Sequence, residues 1–309
     1  MSAAASADGV LVIDKTDGPT SHDVVALARR ALGVSRIGHT GTLDPLATGV
    51  LPLVIGRATR LAQYLSASRK TYEASIRFGL TTDTYDRAGT VVATSLHRPS
   101  RESLEAALIP FTGSFEQTPP AFSAKSIDGT RAYDRARTHG AAAVQPKPVT
   151  VTVQRLELLA FDGECARVLV EAGAGFYVRS LAYDLGKVLR CGAMLDALRR
   201  TRSGDFSLDD AVSFAELATA APGSLASRLV PFDRLLTERP AVVLDAHGVH
   251  RVRHGQDVGP FTAVEPGTVL PGETLASNIV RLLDPEGHLV ALASPAGERG
   301  FLHASVVFG

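Results

Sequence analysis

One stretch, Gly38-His39-Thr40-Gly41-Thr42-Leu43-Asp44-Pro45-Leu46-Ala47-Thr48-Gly49, restricts the fold of this chain more than any other part of it. Gly38, Gly41, Gly49 and Pro45 break both helical and strand patterns, so the run reads as a loop rather than a regular helix or a central strand. Glycine lets another backbone approach closely, and Thr40, Thr42 and Thr48 can lock a loop through local hydrogen bonds. Asp44 is the only acid in it. An ordinary Asp-Pro turn needs about two or three such residues, and this run has twelve. A rigid loop displaying a single carboxylate is a candidate site.

The remaining composition is that of a globular chain. Of 309 residues, 45% are hydrophobic and 21% charged, enough for one large domain or a large and a small one. No apolar stretch approaches the ~18 residues that suggest a membrane span. Met1–Asp8 lacks the basic and apolar regions of a signal peptide and reads as a frayed tail. Cys165 and Cys191, the only cysteines, are too few for a zinc site or a disulfide framework and fit a reducing cytoplasm. The net charge is zero, yet residues 1–235 carry 27 Lys and Arg against 24 Asp and Glu, and residues 236–309 carry 5 against 8. So slight a basic excess is weak support for a nucleic-acid partner.

Hydrophobic patterning places the motifs. Gly9–Lys15 reads as a buried strand, and Thr20 or Ser21 caps a helix that runs to about Leu32. Val50–Ile55 reads as a core strand or its lead-in, with Pro52 arguing for an edge or a bulge. Tyr72–Phe78 alternates as a strand, with Tyr72, Ala74, Ile76 and Phe78 on one face. Ser100–Ile109 reads as a helix, and Val149–Phe161 and Ala166–Ala172 as strands paired across an Asp162-Gly163 turn. Tyr177–Leu189 reads as a helix and Met194–Arg199 as a second, short one. Pro222 and Gly223 mark a linker, and beyond Pro240 short strands divided at Asp284–Gly287 and Ser294–Gly297 suggest a small β-rich domain.

His247, His250 and His254 fall at i, i+3 and i+7, but no cysteine or carboxylate pair accompanies them, so they read as a solvated helix face rather than a metal site. Gly173-x-Gly175 lacks the third glycine of a dinucleotide loop, and no phosphate-binding, serine-hydrolase or zincin motif is present.

The Gly38–Gly49 run resembles the signature of the TruB-type bacterial tRNA pseudouridine synthases, enzymes that convert uridine 55 of the tRNA TΨC arm to pseudouridine. Together with further segments the resemblance covers most of residues 9–206. Lys15-Thr16-Asp17-Gly18-Pro19-Thr20-Ser21-His22-Asp23 resembles the family's first segment, with Thr16 where proline is usual; on its own it reads as a strand-to-helix connection. Lys70-Thr71-Tyr72 resembles the segment whose tyrosine stacks on the target base, an interaction worth roughly 1–3 kcal/mol, and whose hydroxyl lies near the sugar. Outside the family context Tyr72 reads as a core tyrosine. Thr82–Gly89 resembles a loop whose aspartate, here Asp86, orders the active site, or else is an acidic turn.

Gly175-Phe176-Tyr177-Val178-Arg179-Ser180-Leu181 resembles the segment whose arginine, here Arg179, pairs with the catalytic aspartate. A guanidinium in contact keeps a carboxylate ionised, whereas the first turn of a helix does not by itself favour a cation. Tyr177 would pack beside the base or against Tyr72. Leu198-Arg199-Arg200-Thr201-Arg202-Ser203-Gly204 resembles the last catalytic segment: Leu198 lines the uracil pocket and Arg199 lies near the RNA, although an arginine triplet ending a helix serves equally as a dipole and solvation device. The polar stretch from Gln117 to about Gly140 resembles an RNA-gripping insertion. There the family has an apolar residue and then lysine after Ser-Ala; this chain has Lys125 and then Ser126, so Lys125 would reach the RNA from one position earlier.

The resemblance implies an α+β pseudouridine synthase fold, with a mixed, mostly antiparallel sheet flanked by helices in residues 1–235 and a small PUA-like β domain in residues 236–309. It implies catalysis without metal, nucleotide or redox cofactor. Asp44 either attacks C1′, as a retaining glycosidase does, or promotes elimination to a glycal. The target base must be everted at a cost of a few kcal/mol, with His39 packed against the rearranged RNA loop and Tyr72 and Leu198 clasping the free uracil. The implied partner is tRNA, gripped at its T-arm and elbow, with no membrane and no obligatory protein or guide RNA. A guide-RNA-dependent relative and a non-enzymatic tRNA chaperone are the alternatives.

Overall fold

The computed structural model describes residues 8–123, 126–127, 130–131, 138, 144, 146–237, 239–259, 279–296 and 300–308. Strand β1 (Gly9–Lys15) pairs antiparallel with β3 (Ala47–Ile55) along its whole length. Between them lie helix α1 (Ser21–Leu32) and β2 (Ile37–His39). Thr20 starts α1 with a capping box: its hydroxyl accepts from the Asp23 N–H, and the Asp23 carboxylate accepts from the Thr20 N–H. Next come α2 (Ala62–Ser66), β4 (Lys70–Phe78), β5 (Leu80–Thr82), β6 (Val91–Thr94), α3 (Arg101–Leu108) and β7 (Gly113–Gln117). They are followed by the short β8 (Ser126–Ile127) and β9 (Thr130–Arg131), then β10 (Val149–Phe161), β11 (Cys165–Ala172), α4 (Val178–Val188) and β12 (Ala193–Ser203). Short elements β13 (Phe206–Ser207), β14 (Val212–Ser213), α5 (Phe214–Thr219) and β15 (Val230–Pro231) complete this part.

Among the described residues one sheet runs β14-β1-β3-β12-β4-β11-β10-β7, with β2 on β3, β13 on β12 and β15 on β1. Only the β1–β14 and β3–β12 pairs are parallel, so the sheet is mixed and mostly antiparallel. Leu11, Ile13, Leu51, Leu53, Ile76 and Phe78 point to one face, where Val24 and Ala28 of α1, Leu104 of α3 and Leu181 and Leu185 of α4 bury them. The alternate residues Val10, Val12, Val50 and Val54 are buried on the opposite face. Strands covered on both faces read as unbroken apolar runs, which is why β1 is legible in sequence.

Three expectations need correction. Met194–Arg199 is not a helix but the heart of β12, paired with β4 through Leu195↔Ile76, Leu198↔Ala74 and Arg200↔Tyr72. Its Met, Leu, Ala and Arg favour a helix locally, and two long-range strand pairings override that preference. Pro52 sits on neither an edge nor a bulge, since it faces Val12 in an unbroken register. It occupies the gap where the second neighbour of β3 changes from β12, at residues 47–49, to β2, at residues 53–55. Its carbonyl accepts from the Thr40 N–H on that side, so the missing N–H also falls where no strand asks for a donor. Gly49 lies inside a central strand: at φ 100° a Cβ there would come within 2.1 Å of the Arg200 carbonyl oxygen, so only glycine lets β12 approach so closely.

The C-terminal part contains β16 (Ala241–Val243), α6 (Ala246–Arg253), β17 (Val280–Leu283), β18 (Leu289–Pro295) and β19 (Leu302–Val307) in a separate sheet ordered β16-β17-β18-β19. Val249 and Val252 of α6 cover one face of it. From the other face Leu292, Val306 and Phe308 join Phe232 and the Val10, Val12, Val50 and Val54 side of the large sheet in one core. Among the described residues no helix is long and apolar enough to cross a membrane.

Candidate active site

Because β2 and β3 are neighbours in one sheet, residues 40–46 form a short excursion between them, and Asp44 sits on it. The loop is fastened at several points. The Leu43 N–H donates to the buried Ser21 hydroxyl at the start of α1 (2.9 Å), and that hydroxyl donates back to the Leu43 carbonyl (3.0 Å). The Gly18 N–H donates to the Pro45 carbonyl (2.9 Å) and the Ala47 N–H to the Asp44 carbonyl (3.0 Å). From below, the buried Lys15 ammonium donates to the carbonyls of Thr16, Pro45 and Ala47 at 2.9, 3.0 and 2.7 Å. Burial draws Lys15 down to about 8, against the pull of Asp17 and Asp44. Lys15 therefore braces the loop and does not line the cleft beside Asp44.

Arg179, on the first turn of α4, grips Asp44 side-on: Nε lies 2.9 Å from Oδ2 and Nη2 3.1 Å from Oδ1. Two-pronged pairing of this kind fixes orientation as well as charge. The rest of the guanidinium is occupied too. Nη1 donates to the Thr84 carbonyl (3.2 Å), Nη2 to the Phe122 carbonyl (3.0 Å), and Asp86 Oδ2 lies 3.7 Å from Nε. The Arg179 side chain is 6% exposed and that of Asp44 34%, so the cation is enclosed while the carboxylate stays open to a reactant. Asp86 braces Arg179 from behind; its Oδ1 accepts from the Thr84 hydroxyl (2.7 Å) and the Ala88 N–H (3.0 Å). Burial pushes the Asp86 carboxyl up, against those bonds and the pull of Arg179.

The start of α4 is held by a contact that sequence reasoning missed. The Gln117 amide accepts from the Tyr177 N–H (2.8 Å) and donates to the Tyr177 carbonyl (3.1 Å), and the Ser180 hydroxyl donates to the Thr118 carbonyl (2.7 Å). The first of these bonds satisfies an N–H that a helix N-terminus leaves open, and together they aim Arg179. Nothing in the spacing of Gln117 and Tyr177 signals the clasp.

Asp44 and Arg179 face a cleft of about 260 Å³, also lined by Tyr72, Tyr177 and Leu198. Tyr72 comes from β4, Leu198 from β12, and Tyr177 is the N-cap of α4. Burial pushes the Tyr177 hydroxyl up, against the pull of the Arg179 charge. Lys70 and Arg200 also line the cleft; both stand in segments visible in the sequence, where neither stood out.

His39 lies outside the cleft, edge-on to His22 at 5.7 Å, with its Nδ1 accepting from the Gly41 N–H (3.4 Å). Burial, His22 and Arg200 together hold it below the usual histidine range, so the imidazole is neutral at pH 7 with its proton assigned to Nε2 by that bond. Arg199, out of phase with Leu198 and Arg200 on the strand, is bound through Nη1 and Nη2 to the Asp14 carboxylate at 3.1 and 2.8 Å. Its guanidinium does not reach the cleft. Lys125 lies outside the described residues. Of His247, His250 and His254, the last two have ring centroids 4.2 Å apart with their planes tilted by 36°, and His254 Nδ1 lies 2.8 Å from the His250 carbonyl oxygen. Asp284, Glu286 and His288 converge on the exposed turn between β17 and β18, where Asp284 already accepts from the N–H groups of Glu286 and His288.

Residues 29–178 match the TruB family pseudouridylate synthase N-terminal domain, and residues 179–237 the tRNA pseudouridylate synthase B C-terminal domain. A tRNA pseudouridine synthase B of Solibacter usitatus (strain Ellin6076) is 45% identical over 289 residues, spanning 92% of this chain and 94% of the relative. The chain belongs to the TruB family of pseudouridylate synthases. The tRNA pseudouridine synthase B of Symbiobacterium thermophilum is 46% identical over 82% of this chain and 84% of its own length. A solved Cbf5-Nop10-Gar1 complex contains a chain of the same fold, with a TM-score of 0.73 at 25% identity over 96% of this chain and 83% of that one. An H/ACA RNP bound to a substrate RNA containing 2′-deoxyuridine shares the fold with a TM-score of 0.72 at 23% identity, over 98% of this chain and 86% of that one. The two TruB regions meet between Val178 and Arg179, so the ion pair at the cleft joins an acid from the first to a base from the second.

Proposed function

We propose that this TruB family member isomerises uridine to pseudouridine in tRNA, acting on uridine 55 of the T-loop with Asp44 as the reacting carboxylate. The Asp44–Arg179 pair carries the reading: the guanidinium is enclosed and held by acceptors at each of its nitrogens, while the carboxylate opens onto the cleft. An ionised carboxylate so placed can add to C1′ or take a sugar proton. Tyr72, Tyr177 and Leu198 would enclose an everted uracil and keep water from the sugar intermediate. His39 would pack on the rearranged RNA loop, and residues 117–140, Lys125 among them, would grip the RNA. We read residues 236–309 as a PUA-like RNA-binding domain. Exchanging an N1–C1′ for a C5–C1′ bond is redox-neutral and calls for no group carrier. The names of the bacterial relatives support a tRNA substrate, and we read the chain as a cytoplasmic enzyme that needs neither guide RNA nor partner protein.

An Asp44→Asn variant tests the reading. On a bare tRNA transcript labelled with tritium at uridine C5, wild type should release the label, and the variant should bind tRNA yet lose at least about 10³-fold in rate. Unchanged release by the variant would end the proposal for Asp44. Release that requires an added guide RNA would favour the alternative way of working.

A further inference from the structure

Two more cations share the cleft with Asp44. Lys70 is 7% exposed and Arg200 1%, and they meet at Gly41, three residues before the acid. A side chain placed there would find Arg200 Nη1 at 3.5 Å and Lys70 Cε at 3.9 Å. Their hydrogen bonds go to neutral acceptors. Arg200 donates through Nε to the Val50 carbonyl (2.7 Å) and through Nη2 to the Gly41 carbonyl (3.1 Å), and its guanidinium adjoins the Tyr72 hydroxyl. Lys70 donates to the carbonyls of Ser66 and, at 2.6 Å, Ser68. Among the described residues no carboxylate pairs with either of them, and the charge of Asp44 is already matched by Arg179. Burying an unpaired cation costs several kcal/mol, so a fold that keeps two of them beside a reactive acid maintains a strong positive field there. The buried Thr40 hydroxyl lines the same cleft without a hydrogen-bond partner among the described residues.

We propose that Lys70 and Arg200 form an electrostatic floor that stabilises the uracil anion released when the N1–C1′ bond breaks. The inference rests on Asp44 as the reacting group. In the addition route an Asp44 oxygen bonds to C1′ while the electrons of the broken bond leave with N1, and the charge spreads over N1, O2 and O4. The ring then turns, C5 bonds to C1′ as the Asp44–C1′ bond breaks, a proton leaves C5 and N1 takes one up. In the elimination route the base departs as the same anion. The two cations exchange no proton in either route. Their field lowers the anion's energy without tying it to one orientation, and Thr40 offers a hydroxyl to its edge.

A backbone phosphate is the other anion that would suit such a floor, and it would bind before chemistry as well as during it. Single-turnover rates on a saturating tRNA transcript separate the two. Lys70→Met in the full chain should lower the rate about 10- to 100-fold with the tRNA Kd within about twofold of wild type, and Lys70→Arg should restore most of the rate. A transcript with 5-fluorouridine at the target, whose fluorine itself stabilises the anion, should suffer a smaller loss in Lys70→Met, read as 5-fluorouridine consumed in nuclease digests. Lys70→Gln, which can still donate to a neighbouring carbonyl, takes the place of Lys70→Met if the latter fails to fold. An unchanged rate, a loss confined to Kd, or equal losses on the two transcripts would each overturn the proposal. Wild-type protein inactive on tRNA would instead overturn the functional reading beneath it, a distinct result.

Discussion

Asp44 and Arg179 are 135 residues apart in the chain, and the two were not equally legible. The acid declares itself, because a carboxylate alone among glycines and threonines has little reason to exist except display. The arginine is conspicuous only as a cation at the wrong end of a helix. Lys70 and Arg200 were not legible at all, since whether a basic side chain is buried depends on which strand lies across from it. Their burial has a measurable consequence. Lys70 titrates near 8 in the folded protein, drawn down by burial and by Arg200, against 10.5 as the ordinary value. The charged groups that face it are Arg200 on β12 and, across the cleft, the Asp44–Arg179 pair. Between those two pH values the unfolded chain binds the proton that the folded state has released, so folding stability rises with pH across the window. Urea unfolding of wild type and Lys70→Met at about pH 7.5 and about pH 10 should therefore show the difference moving in favour of wild type at the higher pH. A difference independent of pH would mean that Lys70 is not held as described.

At the scale of elements, most of the catalytic sheet could be read from the sequence, because alternation and apolar runs are local signals. β12 could not. Its residues are good helix formers, and only pairing with β3 on one side and β4 on the other, as at Leu198↔Ala47 and Leu198↔Ala74, makes it a strand. That difference decides the site: strand alternation sends Leu198 and Arg200 to the cleft and Arg199 to Asp14, whereas a helix would have scattered all three. The start of α4 is likewise set from outside, by the end of β7. Gln117→Ala would strip the Tyr177 N–H of its partner and leave the Tyr177 carbonyl with the Leu181 N–H alone (3.2 Å), at a cost of about 1–3 kcal/mol of stability for the unpaired donor. The first turn would loosen its hold on Arg179, so the single-turnover rate on tRNA should fall by about tenfold or more while tRNA affinity changes little. Thermal melts beside rapid-quench kinetics check both parts. Full activity in a destabilised variant would show that the clasp serves folding alone.

Over the whole molecule the sequence distinguishes a β-rich tail from the rest, and its acidic balance says little about what that tail touches. The structure supplies the missing relation: the tail's sheet presses Leu292, Val306 and Phe308 against the Val10, Val12, Val50 and Val54 face of the large sheet, with Phe232 and Phe308 edge to face at 4.5 Å. The Asp233 carboxylate accepts from the Leu289 N–H (2.8 Å) across the same junction. The opposite faces of these same strands, β1 and β3, bury the helices beside the cleft, so the two sheets cannot part without exposing the centre of the large one. Leu292 is fully buried, and Leu292→Ala should cost about 2–5 kcal/mol through lost contacts and the cavity left behind. Because that cavity opens in a core shared by both sheets, calorimetry and far-ultraviolet circular dichroism should record one transition, shifted to lower temperature as a unit. Should a small early transition separate instead, leaving the main one at its wild-type temperature, the tail would be an independently stable module, and its contact with β1 and β3 would contribute nothing to holding the Asp44 loop in place.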